Sequence, residues 1–314
     1  MRRLLPLTLL LVAACKKDDA PAHLERARAA LFAQKYDTAI AEYKLTIDVL
    51  DRDTSPQAVL YRARALRGAA DVYAFHLSDP KRAVEVYREL TTVSPEAPET
   101  LEGRIHLAEL LWHDFRDPRG AIAEYTQALA RNPPQSAELS FTVARLYFEL
   151  QDYSQCELEA DKVARKFETS PFVDDALFLR GQALSMMEGR RADAQRVFLD
   201  LLDRFPDSEL KPHALVELGR LKAAAGDPEG AIELWVKALP THPTPEAVQK
   251  QIALVRGRLR ATTPTVVGDA TRAFDWDTHP VVENRNAKTS AEAVGGTADE
   301  AKAEQSMPAE QTAP

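Results

Sequence analysis

Residues 227–243 read DPEGAIELWVKALPTHP, and this stretch contains the spacing that decides the fold. Asp227 suits the N-cap of a helix, because its carboxylate can accept hydrogen bonds from backbone N–H groups that the first turn leaves unpaired. Ala231 and Trp235 follow one turn apart on the same helix face, and Pro243 lies twelve residues beyond Ala231. The stretch therefore predicts an amphipathic helix that ends before a proline.

The same spacing recurs along most of the chain. A small residue is followed four positions later by an aromatic residue, except in one copy where alanine takes that place. The pairs are Ala39 and Tyr43, Ala83 and Tyr87, Ala121 and Tyr125, Cys156 and Ala160, Ala194 and Phe198, and Ala231 and Trp235. A second small residue lies upstream of five of these pairs, at Ala70, Ala108, Ala144, Gly181 and Gly219.

This pattern resembles the tetratricopeptide repeat. The resemblance implies hairpins of two antiparallel helices that cross closely at the small residues, with the aromatic residue filling the gap to the neighbouring repeat. No stretch alternates like a β-strand. We therefore expect an all-α, right-handed superhelical solenoid of about six helix-turn-helix repeats over residues 22–260. The eleven residues expected to form its repeat core are Ala39, Tyr43, Ala83, Tyr87, Ala121, Tyr125, Cys156, Ala194, Phe198, Ala231 and Trp235.

Regular helix starts support this interpretation. An aspartate or serine precedes a proline at several positions, as expected for an N-cap followed by a first-turn proline. These pairs are Asp79-Pro80, Asp117-Pro118, Asp227-Pro228, Ser55-Pro56 and Ser170-Pro171.

Part of the chain resembles a narrower group of repeat proteins. The segments Phe172–Gln182 and Arg204–Glu209 are similar to repeats of the outer-membrane assembly lipoprotein BamD and the division coordinator CpoB (YbgF). Tetratricopeptide pilotins of secretin pores are a third similar group. Arg180 departs from the pattern, because leucine is usual at its position.

The N-terminus resembles a bacterial lipoprotein signal peptide. Two arginines precede an apolar run that ends in Val12-Ala13-Ala14-Cys15, and this run is too short to span a bilayer. The resemblance implies cleavage after residues 1–14 and lipidation of Cys15, with residues 15–21 as a disordered polar tether. Lys16 after the cysteine favours anchoring at the outer membrane, facing the periplasm. The alternative is an ordinary signal peptide with a chance cysteine.

The C-terminal segment, residues 261–314, is rich in alanine, glutamate, threonine and proline and lacks apolar periodicity. Such a composition predicts disorder. An aromatic island at residues 273–282 interrupts it and suggests either a docking segment for a partner or a contact within the same molecule.

Charge and composition restrict the function. The formal net charge of −8 argues against nucleic-acid binding, which needs a basic face. No pair of histidines has metal-ligand spacing, and no glycine-rich phosphate loop is present. We expect no catalysis, no metal and no cofactor beyond the acyl lipid on Cys15. Cys156 is expected to replace alanine in a helix contact.

Function should then reside on the inner face of the solenoid, which the first helix of each repeat builds. The spacing places Asp71, Ile105, His113 and Gln182 inward, together with a proposed groove for peptide segments of envelope partners. The groove residues are Phe75, Glu109, Trp112, Phe141, Arg145, Phe148 and Phe178. Any single aromatic residue among these could instead belong to the core.

Two classes of function are consistent with these features. The first is a non-enzymatic, lipid-anchored scaffold or adaptor that assists assembly of outer-membrane or envelope complexes. The alternative is a peptidoglycan-associated or division-linked module that regulates a wall enzyme.

Overall fold

A computed structural model describes the backbone of residues 11–262 and the side chains of residues 19–261. This part of the chain is all-helical, as the sequence predicts, and contains no β-strand. The helices are α1 (Leu11–Phe32), α2 (Tyr36–Leu50), α3 (Pro56–Asp71), α4 (Pro80–Val93), α5 (Pro98–His113), α6 (Pro118–Leu129), α7 (Ser136–Glu149), α8 (Tyr153–Lys166), α9 (Val173–Met186), α10 (Arg191–Arg204), α11 (Lys211–Ala224), α12 (Pro228–Ala238) and α13 (Pro245–Thr262). A π-helical segment, Val72–His76, extends α3.

The described residues divide into two compact units, the first ending at Glu217 and the second beginning at Leu218. In the first unit each odd-numbered helix packs against the even-numbered helix that follows it, from α1 with α2 to α9 with α10. Neighbouring hairpins also meet through their first helices, because α3 contacts α5 and α7 contacts α9. In the second unit α12 packs against α13. The expected helix-hairpin architecture is therefore confirmed for the described residues.

Aspartate side chains cap the N-termini of several of the second helices. Asp79, Asp117 and Asp227 each accept a hydrogen bond from the backbone N–H three residues later, and a proline follows each of them at the start of the helix. Asp152 caps α8 in the same way, although no proline follows it. These caps pair backbone donors that would otherwise lose hydrogen bonds at the helix ends.

The two serines behave differently from one another. Ser55 caps α3 by accepting a hydrogen bond from the backbone N–H of Ala58. The expectation that Ser170 caps α9 is wrong, because that helix starts at Val173 with Phe172 at the N-cap position. The Ser170 hydroxyl instead accepts from the backbone N–H of Phe172, which orders the turn before the helix.

The repeat core lies where small and aromatic residues meet between helices. All eleven residues expected there are buried, and none is more than 5 % exposed. Gly68 lies against Tyr43 and Gly219 lies against Trp235, so that a β-carbon at either glycine would come within 2.4 Å of the ring. The absence of a glycine side chain therefore lets the aromatic ring fill the gap between helices.

The fourth hairpin, α7 with α8, is packed in another way. Its aromatic position is occupied by Ala160, which is fully buried beside Cys156. Rings from the first helices, including Phe141 and Phe148, pack against this cluster. The first helices of this region thus contribute to the core as well as to the surface.

The N-terminal helix extends further than the composition suggests. α1 begins at Leu11, so the segment expected to be a polar tether, residues 15–21, is helical in the structure. Ala20 is fully buried against Leu50 and Ala58, and the packed region therefore begins before residue 22. None of the helices in residues 11–262 combines the length and apolarity needed to cross a membrane.

Several sequence predictions fall outside this description. Residues 1–10 of the signal peptide and the side chain of Cys15 are not among the described groups. The same holds for residues 263–314, which include the aromatic island at 273–282.

Candidate functional site

The first helices of neighbouring hairpins present equivalent positions on one side, which we call the first-helix face. Its members lie at fixed distances from the small residues Ala70, Ala108, Ala144 and Gly181 on α3, α5, α7 and α9. They are Asp71, Phe75, Glu109, Trp112, Glu138, Phe141, Arg145, Phe148, Glu149, Asp175 and Phe178.

Trp112 joins α5 to α7 at the middle of this face. Its indole Nε1 donates a hydrogen bond to Glu149 Oε2 at 3.0 Å. The guanidinium of Arg145 lies 5.4 Å from the centroid of the same ring. Such a cation–π contact contributes about 0.5–1 kcal/mol at an exposed site and holds the guanidinium in a defined place. The imidazole of His113 also stacks on Trp112, with the two ring centroids 4.3 Å apart.

Phe75 is the most exposed aromatic ring of the face, at 59 % of its surface. It belongs to the π-helical segment after α3, and such segments often occur at functional sites. Its ring meets the imidazole of His106 edge-on, at a centroid distance of 5.2 Å. Phe75 therefore exposes an apolar ring to solvent, and its contact with His106 holds the ring in position.

A polar network lies beneath Phe75. The hydroxyl of Tyr87 donates to Asp71 Oδ1 at 2.5 Å, and His106 Nδ1 lies 3.2 Å from the same hydroxyl. Hydrogen bonding to Asp71 raises the pKa of His106, and burial opposes this rise. Burial, followed by the charge of Asp71, raises the pKa of Tyr87, which stays protonated. The network links α3, α4 and α5, and it positions the inward-facing Asp71.

The three phenylalanines of α7 and α9 are only partly exposed. Phe141 stacks on Phe172 at 5.9 Å, and Phe148 meets Tyr153 at 5.4 Å. Phe178 lies 5.7 Å from Phe198. Each of these rings packs against the core on one side and is exposed on the first-helix face on the other side. They therefore do not project from this face as fully exposed side chains. Ile105, also expected to point inward, is 9 % exposed and belongs to the core.

Arg145 is surrounded by carboxylates. Glu109, Glu138 and Arg145 all lie close enough to Tyr125 for their charges to affect its pKa, which burial raises. Asp175 lies near Arg145 as well, and its pKa is raised by burial and by the neighbouring Asp174. Within residues 19–261, neither Glu109, Glu138, Glu149 nor Asp175 makes an ion pair. The face therefore combines aromatic rings with carboxylates that have no cationic partner of their own.

No arrangement for catalysis is apparent on this face. The described part of the chain holds no group of histidine, cysteine and acidic side chains that could bind a metal ion. Cys156 is fully buried, and burial raises the pKa of its thiol to about 12, so that the nucleophilic thiolate is strongly disfavoured.

Sequence reasoning missed the network below Phe75. It assigned Tyr87 to packing alone, whereas the hydroxyl of this residue connects Asp71 with His106. One feature of the sequence could have indicated this. In two repeats an acidic residue directly follows the upstream small residue. This residue is Asp71 in the repeat of Tyr87 and Glu109 in the repeat of Tyr125, whereas the repeat of Phe198 has Gln182 at the same position.

Two segments of the chain match the tetratricopeptide repeat family, residues 114–171 and 188–246. The first segment spans α6 to α8 and the second spans α10 to α12. The repeat pattern read from the sequence is therefore matched by the family over these two segments. No curated protein matches the sequence.

Several solved structures are similar. A tetratricopeptide repeat protein from Parabacteroides merdae is 16 % identical, with 76 % of this chain and 99 % of that chain covered and a TM-score of 0.45. PilF from Pseudomonas aeruginosa is 14 % identical, with 76 % and 99 % covered and a TM-score of 0.43. YrrB, described as a tetratricopeptide protein with an unusual peptide-binding site, is 15 % identical, with 69 % and 97 % covered and a TM-score of 0.45.

Proposed function

We propose that this protein is a non-enzymatic scaffold or adaptor that binds peptide segments of partner proteins on its first-helix face. The observation that carries the proposal is the arrangement around Trp112, where a fixed ring, the guanidinium of Arg145 and the carboxylate of Glu149 lie together at the surface. Rings next to charged groups are typical of peptide recognition, because they combine apolar area with orientation. Stacked helix hairpins commonly bind partners along the face that repeated helices share.

The second part of the proposal concerns location. We propose that the chain is anchored by a lipid on Cys15 at the outer membrane, facing the periplasm, where it assists assembly of envelope complexes. The support is the lipobox-like sequence Val12-Ala13-Ala14-Cys15 after a short apolar run. Acyl chains on one cysteine would hold the protein at the bilayer without any contribution from the repeats.

Photocrosslinking in cells tests the binding face. A benzophenone amino acid is placed at Glu109 or at Phe75, which are exposed positions where the substitution should not disturb the core. Leu199 on α10 is the matched control, because it is 51 % exposed and lies on a second helix. We expect one partner to be captured from both face positions and not from Leu199. Capture from Leu199 alone, or no capture from either face position, would exclude this face as the binding surface.

A separate experiment tests the anchor. Cells grown with an alkyne-labelled fatty acid should incorporate label into the wild-type protein, and Cys15→Ser should lack the label and leave the membrane fraction. Density-gradient separation of the two membranes then locates the labelled protein. An unlabelled wild-type protein, or a labelled one in the inner membrane, would contradict the respective part of the proposal.

A further inference from the structure

We propose that the partner segment is basic, with lysine or arginine side chains that alternate with apolar residues, and that it binds across α5, α7 and α9. This inference rests on the proposed peptide-binding function and names the chemistry of the partner. Its basis is the combination of partly exposed rings and unneutralised carboxylates on these three helices.

Charges on the neighbouring surfaces are balanced within the protein. At one end of the face, Arg64 of α3 pairs with Glu99 of α5 at 2.9 Å. On the second-helix side, Arg180 Nη2 lies 2.8 Å from Glu157, and Lys162 Nζ lies 3.0 Å from Glu159. Glu99, Glu157 and Glu159 thus each have an arginine or lysine within ion-pair distance.

The centre of the face lacks this balance. Glu149 accepts a hydrogen bond from Trp112, Glu109 and Glu138 lie near Tyr125 as Arg145 does, and Asp175 lies near Arg145, yet none of these four carboxylates of α5, α7 and α9 makes an ion pair within residues 19–261. Arg145 itself is held over the Trp112 ring and forms no ion pair with any of them. Carboxylates on one surface that make no ion pair favour a ligand that brings positive charge. The carboxylates are Glu109, Glu138, Glu149 and Asp175.

The aromatic rings of the first-helix face favour apolar residues beside the positively charged residues of the partner. Phe141, Phe148 and Phe178 are each partly exposed on α7 and α9, which also carry three of these carboxylates, and Met186 at the end of α9 is 60 % exposed. An aromatic face attracts a cation within about 6 Å of its centroid and also accepts aliphatic side chains. A lysine or arginine can therefore lay its methylene groups on a ring and reach a carboxylate with its charged end.

Charge also argues against two other occupants. The segment beyond residue 262 contains more acidic than basic residues, so it would be repelled by this face. A second copy of the chain has the same net charge of −8, which disfavours self-association through an acidic surface. A separate basic partner is the occupant that complements the face.

Selection from a randomised library of twelve-residue displayed peptides tests the proposal on the purified protein. The charge variant is Glu109→Gln, Glu138→Gln and Asp175→Asn. The matched control is Glu85→Gln, Glu89→Gln and Glu188→Gln, which removes the same charge from exposed positions off the face. We expect enriched peptides to carry net positive charge and at least one aromatic or branched apolar residue. A resynthesised peptide should bind the charge variant roughly tenfold more weakly and the control within about twofold of wild type.

Four results would count against the inference. Enrichment of neutral or acidic peptides would show that positive charge does not select the partner. If Phe75→Ala or Arg145→Ala then weakened the binding of those peptides, the proposed peptide-binding function would still stand. Equal loss of basic peptides in the charge variant and its control would show a nonspecific effect of net charge. Displacement of the peptide by a synthetic peptide of residues 263–314 would assign the face to the C-terminal segment. No enrichment at all would count against the inference and the proposed function together.

Discussion

Gly181 of α9 lies so close to Phe198 of α10 that a β-carbon on the glycine would be 2.6 Å from Cε1 of the ring. Phe198 is fully buried, and its Cζ and Cδ1 atoms would also lie under 3.0 Å from that carbon. The ring therefore has little room to move away. This contact explains why glycine stands at a helix position where alanine would otherwise be favoured.

Gly181→Ala should destabilise the protein by about 1–3 kcal/mol, because the added methyl group overpacks the fifth hairpin. The control is Gly257→Ala on α13, where nothing lies within 4 Å of the new carbon. That substitution should be neutral or stabilise by up to about 1 kcal/mol, since alanine favours the helix. Urea unfolding followed by circular dichroism measures both values. Equal effects of the two substitutions would mean that the ring accommodates the methyl group.

Arg180 holds α9 to α8 through two carboxylates. Its Nε lies 2.9 Å from Glu157 Oε1 and its Nη1 lies 2.7 Å from Asp161 Oδ1, and the three side chains are only 19–20 % exposed. Arg180→Leu should lower the free energy of unfolding by about 1–3 kcal/mol, because two largely buried carboxylates lose their shared partner and only Asp161 retains another, Arg165. Arg196→Leu is the control, since that side chain is 78 % exposed and the loss of its surface ion pair should leave the unfolding midpoint almost unchanged. An unchanged unfolding midpoint for Arg180→Leu would contradict this role.

His106 should make stability depend on pH. Its hydrogen bond to Asp71 raises its pKa in the folded protein above the ordinary value of 6.5. The protonated form therefore stabilises the fold fully below about pH 6.5, and this contribution disappears as the pH rises through the folded-state pKa. His106→Asn should consequently lose more stability, relative to wild type, at pH 6 than at pH 9.

The matched variant for this experiment is His113→Asn, because His113 is exposed at the end of the same helix. Its effect on the unfolding free energy gives the baseline for the loss of a histidine side chain from this helix. If the two variants showed the same pH dependence, the network of Asp71, Tyr87 and His106 would not be its source.

Cys156 should be chemically silent in the folded protein. Full burial and a pKa raised to about 12 keep the thiol protonated and out of reach of reagents. In a Cys15→Ser background, which leaves this cysteine as the single thiol, iodoacetamide should label the protein only when urea unfolds it. The labelling rate, followed by mass spectrometry, should rise with the unfolded fraction. Rapid labelling without urea would mean that α8 opens locally.

The repeat pattern could be predicted from the sequence because packing between helices imposes it locally. Ala231 and Trp235 must lie one turn apart to meet the preceding helix, and Asp227 must precede them to cap it. Such constraints act over a few residues and recur in each copy. The helix hairpins and their buried residues follow from them directly.

The details of the face could not be predicted in the same way, because they depend on neighbouring repeats. Phe148 has a suitable spacing for an exposed anchor, yet Ala160 in the following helix leaves space that rings of α7 help to fill. Trp112 likewise has a suitable position, but its hydrogen bond to Glu149 depends on how α5 lies beside α7. The spacing of residues along the sequence predicts on which side of a helix a ring lies. How much of the ring remains exposed depends on the residue that faces it from the neighbouring helix.

Replacement of Phe75 should distinguish the face from the core. Phe75 is 59 % exposed, so Phe75→Ala should change the free energy of unfolding by less than about 1 kcal/mol. Phe198→Ala, the buried counterpart, should cost about 3–5 kcal/mol because it removes a ring that fills the space beside Gly181. Urea unfolding measures these changes, and peptide binding by fluorescence anisotropy measures the function. Since the Phe75 ring gives the face its largest exposed apolar area, its loss should weaken peptide binding while the fold persists. Normal binding by a folded Phe75→Ala protein would restrict the recognition surface to α5, α7 and α9.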